Sequence, residues 1–138
     1  VSRISKETGI GWSTFSVDDS GGSVCDIKND TTQLAITTPR GVQDVTGLDK
    51  SAYERLLLLA DGTVNPQGVF NDAASKSHAV FKTVPSTSVL RTVSIGVSGQ
   101  TLAMEMLFTD FQYTRAQGGE LTWTAPGVVA DGNVPTWS

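Results

Sequence analysis

The sequence predicts a mainly β fold: a two-sheet β-sandwich or barrel with one or two short α-helices. Three observations carry this. In the last third, Val89, Arg91, Val93, Ile95 and Val97 share one parity, and Leu102, Met104, Met106 and Phe108 form a second period-2 run. Glycine pairs, Gly21-Gly22 and Gly118-Gly119, punctuate such runs as turns do. Only 17% of residues are charged, against about 25% in an average domain, and 14 are glycine.

The elements follow in chain order. Residues 1–11 are polar and read as an N-terminal arm that a partner orders. Residues 12–138 read as a single β domain, in keeping with a chain of 138 residues. Trp12 to Asp18 alternates Phe15 and Val17 with polar residues and reads as a strand. Asp18 to Gly22 is a turn, Ser23 to Lys28 a short strand, and Asn29-Asp30 a second turn. Thr31 to Thr38 places Thr32, Leu34 and Ile36 on one face of a half-buried strand.

Pro39 to Lys50 has no clean period. A polar loop with spaced Val42, Val45 and Leu48 fits a partner-binding loop or a loop that folds back on its own core. Asp49 to Ala60 is expected as a short helix, capped by Asp49 with Ala52, Leu56 and Leu59 on one side. Four consecutive leucines also fit a buried strand. Thr63 to Phe70 is extended, with Pro66 placing it at an edge or a bulge. Asn71 to Val84 is the clearer helix, with Asn71 or Asp72 as cap, Ala73, Ser77, Val80, Phe81 and Val84 on its inner face, and Pro85 as its stop.

Beyond Val89 the chain is a β-meander. The run from Thr101 to Arg115 changes phase: its apolar residues are even-numbered through Phe108, then odd at Phe111 and Tyr113. A period-2 pattern changes phase only where a residue is inserted or the strand switches partners, so a bulge or bend is expected from Phe108 to Asp110. Gly118-Gly119 turns the chain into Glu120 to Ala125, with Leu121 and Trp123 inward.

Reactive groups are sparse. His78 is the only histidine, so a Ser-His-Asp relay has a single possible base, and no Gly-x-Ser-x-Gly pattern accompanies it. Cys25 is the only cysteine, which excludes an intrachain disulfide and a Cys-rich metal site. Asp18-Asp19 could offer oxygens to calcium but lacks alternating spacing, and a plain turn is the simpler reading. Glu105 and Glu120 would form a glycosidase pair only on neighbouring strands, held at ~5–9.5 Å. No phosphate-binding glycine loop is present. The chemistry therefore points away from an enzyme, with no cofactor and no metal.

Net charge is −4 and the isoelectric point about 4.8. An acidic surface does not neutralise phosphates, so tight nucleic-acid binding is disfavoured. The longest apolar run, Leu56 to Ala60, is far short of a membrane span. The first residues, Val1-Ser-Arg-Ile-Ser-Lys6, lack the apolar stretch of a secretory signal, and an unprocessed chain of this kind is expected to be made in a cytoplasm. Trp123 is expected in the core, and Trp12 and Trp137, near the termini, as interface anchors.

A series of segments in order carries a family resemblance. They are Phe15-Ser-Val-Asp-Asp-Ser-Gly-Gly22, Asp44-Val-Thr-Gly47, Ala52-Tyr-Glu-Arg-Leu56, Gly68-Val-Phe-Asn-Asp72, Arg91-Thr-Val-Ser-Ile95, Leu121-Thr-Trp123 and Ala130-Asp-Gly-Asn-Val-Pro-Thr-Trp137. In these the chain resembles the major tail protein, or tail tube protein, of long non-contractile-tailed bacteriophages. The resemblance implies hexameric rings whose inner strands join into a ring-shaped barrel. It also implies that rings stack into a tube conducting phage DNA from capsid to host.

The implied partners are copies of the chain itself, other tail proteins at the tube ends (tape measure and terminator), and DNA held only transiently in the lumen, with no membrane insertion. The implied location is the virion, after synthesis in the bacterial host cytoplasm. By position, residues 39–55 look like the inter-ring loop. Arg40, Val42, Asp44, Val45, Tyr53 and Arg55, with Trp12 and Trp137, are the expected inter-subunit contacts. Six copies would carry roughly −24 (6 × −4), and enclosed charge of one sign focuses a field. Glu105, Asp110 and Glu120 are the expected lumen-facing carboxylates. The alternative is a carbohydrate- or host-binding β-sandwich module, or a virion decoration protein.

Overall fold

The structure is a computed structural model that describes residues 9–138. Residues 1–8 of the expected arm lie outside the described residues. Gly9–Gly11 form one 3-10 turn, whose Gly11 carbonyl accepts from the Ser98 amide.

Eleven strands follow in the described residues: β1 (Trp12–Asp18), β2 (Val24–Asp26), β3 (Thr31–Thr37), β4 (Arg40–Asp44), β5 (Arg55–Ala60), β6 (Thr63–Val69), β7 (Arg91–Val97), β8 (Gln100–Phe108), β9 (Gln112–Arg115), β10 (Leu121–Thr124) and β11 (Gly127–Val129). One helix, α1 (Ser77–Phe81), lies between β6 and β7. Nine strands join in the order β2-β1-β7-β8-β11-β6-β10-β9, with β3 on the other side of β6; β4 and β5 pair separately. The large sheet curls into a half-barrel. The mainly β expectation therefore holds, with one short helix.

The concave face holds the core. Phe15 and Val17 of β1, Val93 and Ile95 of β7, and Leu102, Met104 and Met106 of β8 are buried there, as their parity demands. The helix is five residues rather than the expected fourteen. Lys76 precedes it with no capping side chain, and the Asn71 Oδ1 instead accepts from the Ala73 amide in a turn of its own. So short a helix depends on its burial. Val80 and Phe81 enter the core, where Phe81 lies 5.0 Å from Phe108 and 5.2 Å from Trp123, ring centre to ring centre. The Trp123 indole donates to the Val69 carbonyl at 2.9 Å.

The phase change falls where expected. β8 ends at Phe108, having paired with β7 and β11, and β9 restarts at Gln112 against β10. Phe111, in the break, is buried, whereas Tyr113 is exposed. On β3 a register shift between Thr31 and Gln33 turns Thr32 outward, so Leu34 and Ile36 alone keep the inner face.

Pro66 is not at an edge. β6 lies between β3 on one side and β10 and β11 on the other, and Pro66 is buried at the junction of the latter two. Its carbonyl accepts from the Ala125 amide. A strand residue points its N–H and C=O to the same side, so the missing donor falls opposite the Ala125-Pro126 connection, outside either ladder.

The largest departure lies at residues 39–60. The expected loop contains β4, and the expected helix contains β5. Both belong to one long hairpin whose base is β3 and β6. Thr37 pairs with Thr63, the Asp61 amide donates to the Pro39 carbonyl, and Arg40 pairs with Ala60. The ladder simply continues outward, which extends an existing nucleus, whereas a helix at Leu56 to Leu59 would need one of its own.

Candidate assembly interface

The outer half of this hairpin is the feature that the core does not explain. Between Arg40/Ala60 and Val42/Leu57 the register shifts: Gly41 alone opposes Leu58 and Leu59. The bulge leaves the Leu58 carbonyl outside the ladder, and the Arg40 guanidinium donates to it from Nε at 3.0 Å and from Nη2 at 2.8 Å. Beyond the bulge, Leu57 pairs with Val42 and Leu56 with Gln43. Consecutive strand residues point to opposite faces, so both faces of the hairpin carry leucine. Leu56, Leu57, Leu58 and Leu59 are 47% to 92% exposed, and Val42, Val45 and Leu48 are exposed beside them. The leucines are thus neither helical nor buried.

The tip is ordered from within. The Asp44 Oδ1 accepts from the Thr46 hydroxyl at 2.6 Å and from its amide at 3.0 Å. The Glu54 amide donates to Thr46 Oγ1 at 2.9 Å, and the Val45 amide to the Glu54 carbonyl. The two bonds from Thr46, the hydroxyl first and then the amide, hold the Asp44 carboxyl below its ordinary pKa. The Arg55 guanidinium sits 4.7 Å above the Tyr53 ring.

The expected contact residues therefore fall into two groups. Arg40, Val42, Asp44, Val45, Tyr53 and Arg55 all lie on the hairpin. Trp12 and Trp137 lie on the body and flank one groove of about 380 Å³, lined also by Leu34, Ile36, Val97 and Leu102. Trp137 is held there by the fold: it bridges to Leu102, and Thr101 and Ser138 exchange backbone hydrogen bonds at 2.8 and 2.9 Å. A second groove of about 390 Å³, sharing Trp12 and Leu34, continues past Phe15, Lys28 and Thr31. Together they form a seam between β3 and β1 on the open side of the half-barrel. Sequence parity placed Leu34 and Ile36 inward but carried no sign that the barrel stays open beside them.

The three expected lumen carboxylates do not converge on one strand. Glu105 is half-buried on the convex face of β8 and accepts from the Thr92 hydroxyl of β7. Asp110 lies in the β8–β9 break and Glu120 in the β9–β10 turn, both exposed. β8 and β10 are separated by β11 and β6, so Glu105 and Glu120 are not on neighbouring strands.

The remaining polar groups serve the fold. The Asp19 Oδ1 accepts from the Gly21 and Ser23 amides, closing the β1–β2 turn. Asp30, Ser77 and His78 come together, but not as a relay. Asp30 accepts from the Asn71 side chain at 3.0 Å and the Ser77 amide at 3.1 Å. His78 Nδ1 and Ser77 Oγ have no partner among the described residues, and the imidazole lies between Phe70 and Phe111. Buried Arg91 donates to the Asp18 and Val80 carbonyls and to Thr83 Oγ1, tying α1 to the first turn. Burial lowers its pKa, with Asp19 and Asp18 opposing that shift.

Comparison with solved structures identifies the architecture. A chain from the tail of an empty gene transfer agent particle, determined with C6 symmetry, superposes with a TM-score of 0.72 at 19% identity, covering 96% of this chain and 99% of that one. This protein has the fold of a gene transfer agent tail subunit. A chain from the virion of a native gene transfer agent particle agrees, with a TM-score of 0.74 at 15% identity and the same coverage. No family model and no curated protein matches. Among the described residues, no helix is long and apolar enough to cross a membrane.

Proposed function

We propose that the protein is a non-catalytic structural subunit of a phage-like virion tail, and that it self-associates in sixfold rings that stack into a tube. The observation that carries this reading is the β4–β5 hairpin. It projects exposed leucine from both faces, and an apolar surface of that kind calls for cover. The C6 symmetry of the tail whose fold it shares supports copies of the same chain as that cover. Residues 1–11 act as an arm and the hairpin region 39–55 bridges rings, while tape-measure and terminator proteins cap the tube ends.

In this reading DNA passes through the lumen without being gripped. The net charge of −4 supports repulsion of phosphates, with Glu105, Asp110 and Glu120 as the lumen carboxylates. Electron microscopy of the purified protein, with sedimentation velocity, tests the reading. Hollow tubes or sixfold rings are expected. A protein that stays monomeric at high concentration overturns it, and a channel lined by Lys and Arg overturns the lumen assignment.

A further inference from the structure

The hairpin and the seam are two apolar surfaces on one chain, and each lacks an occupant among the described residues. We propose that the leucine hairpin of one copy seats in the β1–β3 seam of a second copy. This rests on the self-assembly reading above and names the surface that receives the hairpin.

Three observations support that occupant. First, the hairpin cannot serve its own seam. β3 is one wall of the seam, and β4 continues β3 outward in an unbroken register through Pro39. Folding back at Pro39 would break the Asp61–Pro39 bond that joins the hairpin to the β3–β6 ladder. Second, the shapes match in kind. The hairpin is a two-stranded ribbon bearing branched aliphatic side chains, and the seam is a cleft lined by Trp12, Leu34, Ile36, Val97, Leu102 and Trp137. Among the described residues the far edge of β3 pairs with no strand, so a ribbon can lie along it. Third, the two surfaces differ. A contact between different patches is head-to-tail; it closes into a ring or continues as a filament and does not stop at a two-fold dimer.

Variants with one added cysteine test this on the full chain. Leu57→Cys is exposed on the hairpin, and Thr38→Cys is exposed at the seam beside Ile36. Cys25 is buried and present in both, so its reactivity would show in either variant alone. Under mild oxidation the mixture is expected to give a disulfide-linked dimer, and each variant alone none. A dimer from Leu57→Cys alone means a hairpin-to-hairpin contact and overturns the proposal. No cross-link in a mixture that sedimentation shows to be assembled overturns the seam as receiver while leaving self-assembly standing. A folded parent chain that never assembles overturns both. Trp137→Arg, at an exposed wall of the seam, is expected to block assembly of a chain that remains folded by circular dichroism; unchanged assembly counts against the seam independently of any thiol.

Discussion

Arg40 holds the Leu58 carbonyl with two donors of one guanidinium, at 3.0 and 2.8 Å. That contact closes the β-bulge opposite Gly41, and so fixes the register of everything beyond it. Arg40→Ala removes both donors at an exposed site, where the hydrogen bonds are worth about 1 kcal/mol. Amide exchange across Leu57 to Ala60 is expected to accelerate roughly five-fold, since 1 kcal/mol is about that factor. The melting temperature should barely move, because the hairpin lies outside the core. Arg40→Lys, a point charge without the planar fork, should restore only part of the protection.

Asp44 gives the hairpin tip a pH dependence of determined sign. Its folded pKa lies below the ordinary 3.8 because the Thr46 hydroxyl and amide bond the ionised form. The contribution is therefore fully present above that value and is lost as pH falls below it, through the depressed folded pKa. NMR titration should show the Thr46 and Glu54 amides leaving their ordered positions together in that acidic window, with no change from pH 5 to 8. In Asp44→Asn the step should disappear.

Gly68 is the position in β6 with no room for a side chain. A Cβ there would stand 1.9 Å from the Asp30 carbonyl oxygen and 2.9 Å from the Trp123 ring. Backbone cannot yield as a side-chain tip can, so Gly68→Ala is expected to cost about 3 kcal/mol, the upper end for overpacking. In a chain of this size that lowers the melting temperature by roughly 10 °C. Gly41→Ala is the contrast. Its Cβ would meet the Leu58 Cδ1 at 3.2 Å, a flexible tip, and the loss should stay below about 1 kcal/mol. Equal thermal shifts for the two variants would refute this account of β6.

What the sequence makes legible follows from where its pattern has a single cause. β1, β7 and β8 have one face buried, so their alternation reports the core directly, and the break after Phe108 reports a change of partner. The same logic fails at Leu56 to Leu59. Both hairpin faces are apolar and the bulge breaks the period, so no alternation survives, and leucine itself favours helix. Pro66 misleads for another reason: its missing donor falls at a junction between two ladders, which no local window of sequence contains. The grouping of six contact candidates on one hairpin and two tryptophans at one groove is likewise a product of topology. Residues 40 and 60 meet because β3 and β6 already do.

The exposed leucines separate assembly from folding. Leu57 and Leu59 are 60% and 92% exposed, so replacing both with aspartate removes no core contact and should change monomer stability by no more than about 0.5 kcal/mol each. The double variant Leu57→Asp with Leu59→Asp instead places two carboxylates where an apolar partner surface is expected, and burying an unpaired charge there is prohibitive. Circular dichroism and thermal melts should match the parent, while sedimentation velocity should show only the monomer. Val93→Asp, at a fully buried core position, is expected to do the reverse and abolish folding itself. If the leucine double variant assembled like the parent, the hairpin would not be the surface through which copies of this chain meet.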